Sequence, residues 1–283
     1  MNRQMKENLL RGSDAYPFAL YQMPFANQTV ATSFHWQDDV EILSITNGEI
    51  ELTLNSKITM LHPGDIVCIN PGQLHSFRGI TSDARCDIFI FPLEHLLFAK
   101  KDHNQNRYLN ALIDGNYGFP LYLATDPIIR ELILQAIELQ KQQPVAYEMM
   151  TKALLLQIIA LLARANHFLP LCPVKQDGTC KKILNYIHQH YTERITVSDI
   201  SAAVGISATY FSSFFTEHFH QHFSDYLRKY RIEQACLMLT GTSLSVTEIA
   251  LATGFCSCSH FIQNFYTDKS MTPLTYRKKT TTL

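Results

Sequence analysis

The sequence predicts an α+β fold in two domains. Three observations carry this. Residues 18–98 alternate apolar and polar side chains between regularly spaced turns, residues 126–165 show helical apolar spacing, and the last hundred residues contain one pattern twice. With 283 residues, 46% of them apolar, the chain can bury a core in each of two ordinary domains. The expected boundaries are 1–166 for the first domain, 167–178 for a linker and 179–283 for the second.

In the first domain, strands are expected at Glu41–Ile45, Glu49–Leu54 and Ile66–Ile69. Asn47-Gly48 between the first two is a hairpin signal, and His62-Pro63-Gly64-Asp65 and Asn70-Pro71-Gly72 read as turns. Short strands with regular turns suggest a small barrel or jelly roll. Residues 126–165 read as two helices split near Pro144. The first carries Ile129, Leu132, Ile133, Ala136, Ile137 and Gln140 on one face. The second carries Met149, Ala153, Leu156, Ile159, Ala160 and Ala163, is apolar around much of its circumference and must be buried. Pro170, Pro173 and Gly178 mark the linker.

The repeat lies in the second domain. Val197, Asp199, Ile200, Ala203 and Gly205 each stand 49 residues before Val246, Glu248, Ile249, Ala252 and Gly254. Beyond the glycine the offset is 50, so that Phe211, Phe215 and Tyr226 match Phe261, Phe265 and Tyr276. Each unit reads as a short helix, a glycine stop and a longer helix. The first expects a helix over 198–204, Gly205 as stop, Ser207 as N-cap and a helix to about 219, with Tyr210, Phe211, Phe214, Phe215 and His218 inward. The second expects 247–253, Gly254, Ser257 as N-cap and a helix to about 267, with Phe261 and Phe265 inward. A helix over about 224–239 joins them.

Charge divides with the domains. From Gly178 onward there are ten Lys/Arg against seven Asp/Glu, a net +3; the preceding part has fourteen against eighteen, a net −4. That asymmetry suits a basic nucleic-acid-binding end. Met1 to Arg11 is polar and offers no signal peptide, and the apolar run 153–163 is too short to span a bilayer, so no membrane partner is expected. An odd count of seven cysteines argues against a disulfide framework and for the cytoplasm. Cys256-x-Cys258 lacks a second ligand pair, so zinc is not expected there.

The ordered run Arg231-Ile232-Glu233-Gln234-Ala235, Ser245 to Ala250, Gly254-Phe255, Ser259-His260-Phe261, Phe265, Thr272-Pro273 and Tyr276-Arg277-Lys278 resembles the C-terminal signature of the AraC/XylS family of transcription regulators. About 105 residues carry this resemblance strongly. It implies double-stranded DNA as partner, two recognition helices held about one DNA turn apart, a homodimer through helices in 126–166, contact with RNA polymerase, and activation rather than repression. Carried over by alignment to Phe211 and Phe261, base-reading positions are Thr209, Ser212, Ser213, Ser259 and Gln263, with Asn264 added for its expected exposure. Thr247 and Ser257 sit at helix starts that favour phosphate. Arg194, Lys229, Lys269 and Lys278 are candidate phosphate neighbours, and Arg231 and Arg277 serve either packing or DNA. Relatives often carry Arg or Lys where this chain has Ser213, Thr216, Gln263 and Tyr266, which predicts weaker, less salt-dependent binding. His220 and Ser270 stand where a glycine is usual.

About 80 residues of the first domain are similar to the cupin barrel. His35-Trp36-Gln37, Glu41 and Gly48 resemble its first motif, and Gly64-Asp65, Pro71-Gly72 and His75 its second. Metal-binding cupins have a histidine where Gln37 stands, and a neutral amide is a poor metal ligand, so neither metal nor another cofactor is expected. The resemblance implies an effector pocket with His35, Trp36, Gln37, Glu41, His75 and Arg78 as candidate contacts and a small polar effector, a sugar among the candidates. His35 and Glu41 equally suit buried structural roles, and Trp36 equally suits packing. Two alternatives stay open: a metal-dependent cupin enzyme with an appended DNA-binding domain, and a DNA-binding regulator without a small-molecule effector.

Overall fold

The computed structural model describes residues 12–13, 15–25, 34–55, 57–100, 102–123, 125–170 and 175–281. The polar residues 1–11 lie outside this range. In chain order the first domain places β1 (Ala19–Pro24), β2 (Val40–Asn47), β3 (Ile50–Leu54), β4 (Lys57–Leu61), β5 (Ile66–Ile69), β6 (His75–Gly79) and β7 (Arg85–Phe91). They form two antiparallel sheets, ordered β1-β7-β2-β5 and β4-β3-β6.

Alternation along the strands sorts the core. Leu43 and Ile45, Val67 and Ile69, and Ile88 and Ile90 meet Ile50, Leu52 and Phe77 between the two sheets. The intervening Ile42, Cys68, Phe89 and Phe91 face helices instead. After α1 (Asn110–Ile113) and β8 (Tyr117–Gly118) come those helices, α2 (Pro127–Gln142) and α3 (Tyr147–Arg164). Asp126 caps α2 by accepting from the backbone N–H of Ile128 and Ile129, and Pro127 suits the first turn. The buried face of α2 is the one expected. That of α3 is not: Thr151, Leu155, Ile158, Ile159 and Leu162 are buried, whereas Met149, Ala153 and Ala160 are exposed. An apolar run has no strong phase, so the face in contact is chosen by α2 and the sheet.

The stretch read as a linker is shorter than expected. β9 (Leu169–Pro170) pairs with β8, and α4 (Lys175–His190) has begun before Gly178; residues 171–174 lie outside the described range.

The second domain follows as α5 (Val197–Val204), α6 (Ala208–Phe219), α7 (Phe223–Gly241), α8 (Val246–Ala252), α9 (Cys258–Lys269) and α10 (Pro273–Thr281). Both short helices open with a capping box, Thr196 with Asp199 and Ser245 with Glu248. Gly205 and Gly254 are left-handed, with φ of 79° and 81°. A Cβ on Gly254 would sit 2.5 Å from the Tyr191 carbonyl oxygen and 3.0 Å from Arg231 Nε, so only glycine fits. α6 packs its phenylalanines on α4, α5 and α7, and α9 packs Phe261 and Phe265 on α7 and α8.

The two domains share one core cluster. Phe34, Trp36 and Leu74 of the barrel are buried with Cys180, Ile183, Leu184 and Ile187 of α4 and with Phe214 and Phe219 of α6.

Candidate nucleic-acid interface and polar effector site

The repeat places α6 and α9 as equivalent second helices. On α6, Thr209, Ser212 and Ser213 are exposed, as are Ser259 and Gln263 on α9. The α6 hydroxyls donate back to their own helix: Ser212 Oγ to the Ala208 carbonyl, Ser213 Oγ to that of Tyr210. Their oxygens remain able to accept from a base or a bridging water. Gln263 has its amide outward, a group that can pair bidentately with adenine. Ser257 caps α9 by accepting from the His260 N–H, and exposed Thr247 lies 3.6 Å from Cys258 Sγ at the same end.

Three assignments change. Asn264 is half-buried rather than exposed, and its Nδ2 donates to the His260 carbonyl at 2.7 Å, which leaves Oδ1 and one N–H for an outside partner. Tyr210 is 54% exposed, not inward: it stands one position off the row that Phe211 and Phe215 bury. With Tyr266, 58% exposed, it gives each second helix an outward aromatic ring. Lys269 is paired with Asp268 at 3.0 Å and largely buried, which removes it from the phosphate candidates. Its ammonium is held above the usual range: burial lowers it, but Asp268 and its other neighbours more than offset that.

The two family arginines serve packing. Arg231 donates to the carbonyls of Tyr191 and Glu193, fastening α7 to the end of α4. Arg277 donates to those of Leu239 and Leu244, closing the turn before α8.

The polar cluster sits inside one end of the barrel. Glu41 shares the inward phase of Leu43 and Ile45, and His75 that of Phe77. Gln37 and Glu41 are each 2% exposed and His75 is fully buried. Gln37 Nε2 donates to Glu41 Oε2 at 2.6 Å, and His75 Nε2 lies 3.3 Å from the same oxygen. His75 Nδ1 faces the Gln73 carbonyl at 2.9 Å; a carbonyl only accepts, so the proton belongs on Nδ1. Nε2 then faces Glu41 Oε2. His35 lies beside His75, ring centroids 4.2 Å apart and planes tilted by 58°, and the two backbones exchange hydrogen bonds of 3.0 Å.

Side-chain donors of His35, Glu41 and His75 lie within 4.8 Å of one another, close enough to surround a cation. The fourth position does not fit one: the Gln37 amide presents its N–H to the oxygen a metal would take.

Two candidate contacts lie outside this cluster. Arg78 points away from the barrel interior, paired with Glu51 at 2.8 Å, because an odd step along β6 from His75 reverses the face. It lines a cleft of about 320 Å³ between the β3–β6 face and the first unit, with Phe219, Gln221 and Lys229 opposite. Trp36 packs against α4 under Lys181, whose Nζ is 5.5 Å from the ring centre.

His188 of α4 approaches the cluster from the second domain. Tyr226 Oη donates to the Phe34 carbonyl at 3.1 Å, so its oxygen accepts from His188 Nε2, also at 3.1 Å. Burial, and then the neighbouring His35, pushes the His188 imidazole down to about 4, so it is neutral at pH 7.

Comparison with known proteins covers both domains. The model of the AraC-like ligand binding domain matches residues 24–171, and that of a helix-turn-helix domain matches 200–279. The uncharacterized HTH-type transcriptional regulator YdeC of Bacillus subtilis is 26% identical over 98% of this chain and 97% of its own length. An uncharacterized HTH-type transcriptional regulator of Staphylococcus aureus strain N315 is 27% identical over 82% of this chain, which spans only 30% of that relative's length. ToxT from Vibrio cholerae O395 shares the fold at a TM-score of 0.50, with 13% identity, 94% of this chain and 98% of that one covered. Fold, interface and matches define a DNA-binding transcription regulator with an attached ligand-binding domain. The chain belongs to the AraC family of these regulators.

Proposed function

We propose that this protein is a cytoplasmic, effector-controlled activator of transcription that acts as a homodimer. The observation that carries DNA reading is the pair of equivalent second helices, α6 and α9, with Thr209, Ser212, Ser213, Ser259 and Gln263 outward. The effector is a small polar molecule, with carbohydrates the first class to test, and its contacts are His35, Gln37, Glu41 and His75. The support is a buried set of donors and acceptors inside an otherwise apolar barrel. Dimerisation uses the 126–166 helices, where Met149 and Met150 of α3 stay exposed, and RNA polymerase is the further partner of an activator.

The test is fluorescence anisotropy at fixed salt, with duplex DNA from upstream of the protein's own and neighbouring genes against shuffled duplex. Preference for the native sequence supports the reading, and equal binding overturns it. Thermal shift across a panel of sugars and other polar metabolites then tests the effector class, since a ligand stabilises the folded state by mass action.

A further inference from the structure

Residues 34–37 are seen by both domains at once. His35 exchanges two backbone hydrogen bonds with His75, and the Gly72 N–H donates to the Gln37 carbonyl at 2.7 Å. The side chains of this short extended piece alternate. Gln37 holds Glu41, and His35 lies on His75. Phe34 and Trp36 are buried with α4 and α6 instead: Phe34 meets Phe219 edge to face at 5.1 Å, and Trp36 lies under Lys181. The Phe34 carbonyl is held by Tyr226, which His188 braces. The first helix of the DNA-binding domain therefore roofs the end of the barrel that contains the polar cluster.

We propose that residues 34–37 are the strip through which the effector site and the DNA-binding domain sense each other, with Gln37 as its input and Phe34 and Trp36 as its output. This rests on the reading of Gln37, Glu41 and His75 as effector contacts. A polar ligand that takes Glu41 Oε2 displaces the Gln37 amide. The Phe34 and Gln37 carbonyls hold the backbone at both ends, so a rearrangement of Gln37 that reaches its backbone passes to Trp36 and Phe34. Those residues are two of the three barrel residues in the shared core cluster, and their shift loosens α4. Empty and filled sites thereby differ in how firmly the first helix-turn-helix unit is docked, which is the difference in affinity that a population shift requires.

Trp36 is the only tryptophan, so its emission reports the strip directly. The experiment uses the full-length protein and two readouts: Trp36 emission with acrylamide quenching, and anisotropy with duplex from upstream of its own gene. Gln37→Ala removes the input, Tyr226→Phe removes one hydroxyl of the output, and Lys100→Ala on the exposed surface is the control. The expected result is red-shifted, more quenchable Trp36 emission in both test variants and not in the control. DNA affinity should change at least threefold in each, and the double variant should depart at least fivefold from the product of the single effects. Native Trp36 emission in Gln37→Ala, or a double variant within twofold of additive, overturns the proposal. Should Gln37→Ala not fold, Gln37→Met keeps the volume and removes the amide, and the same outcomes apply. If the wild-type protein shows no DNA preference, the proposed function fails, and Trp36 emission alone still decides the strip.

Discussion

Arg231 and Gly254 lock the second helix-turn-helix unit and the connecting helix to the end of α4. The guanidinium of Arg231, on the connecting helix, donates to the Tyr191 and Glu193 carbonyls that follow α4, and the left-handed Gly254 of the second unit lies against it with no room for a Cβ. Gly254→Ala meets both a 2.5 Å clash and an unfavourable φ, and is expected to cost about 2 kcal/mol or more. Urea denaturation of wild type and variant checks this; an unchanged midpoint would show that the turn relaxes freely.

Ser270 follows α9 at a φ of 53°, a conformation costly for a side chain with a Cβ. Ser270→Gly is expected to raise stability by up to about 1 kcal/mol, the relief exceeding the added entropy of the unfolded chain. A lower Tm would indicate that the serine makes a contact worth more than the strain.

His188 sets an acid limit on the folded state. It stays neutral when folded down to about 4, whereas an unfolded imidazole takes up a proton below about 6.5. The unfolded chain then binds more protons, so this contribution is complete above about 6.5 and is lost as pH falls toward 4. His188→Gln is expected to lose less stability than wild type between pH 7 and 5, measured by urea midpoints. Parallel losses in both proteins would assign the acid sensitivity elsewhere.

Gln263 is the strongest base-reading candidate on α9. Gln263→Ala is expected to lower affinity for the native duplex by about 1–3 kcal/mol while leaving binding to shuffled duplex near its original value. The reading helices carry few cations, so the slope of log affinity against log salt should also be shallow. Equal losses on both duplexes would make Gln263 a backbone contact.

What the sequence made legible was local. The repeat, both glycine stops, the Ser207 and Ser257 N-caps and the inward phenylalanines depend on neighbours within one or two turns. Tyr210 was misplaced because it borders the apolar row, where one position rotates a side chain about 100°. The face of α3 was misread for a related reason: a nearly all-apolar helix carries no internal record of which side its partner takes. Arg78 was readable after all, since strand alternation from an inward His75 puts it outside. The docking of Phe34 and Trp36 was not, because both lie outside any strand and their partners are some 150–190 residues away in sequence.

The shared core of Phe34, Trp36 and Leu74 with α4 also moves the point at which this molecule can be divided. A chimera cut in the connection before Lys175 would transplant α4 away from the barrel residues that complete its packing. A graft that exchanges sensing domains among relatives must carry the 34–37 strip and its facing helix as one piece. The natural unit of exchange is therefore a contact that spans both domains, and a joint drawn through the chain between them would cut it.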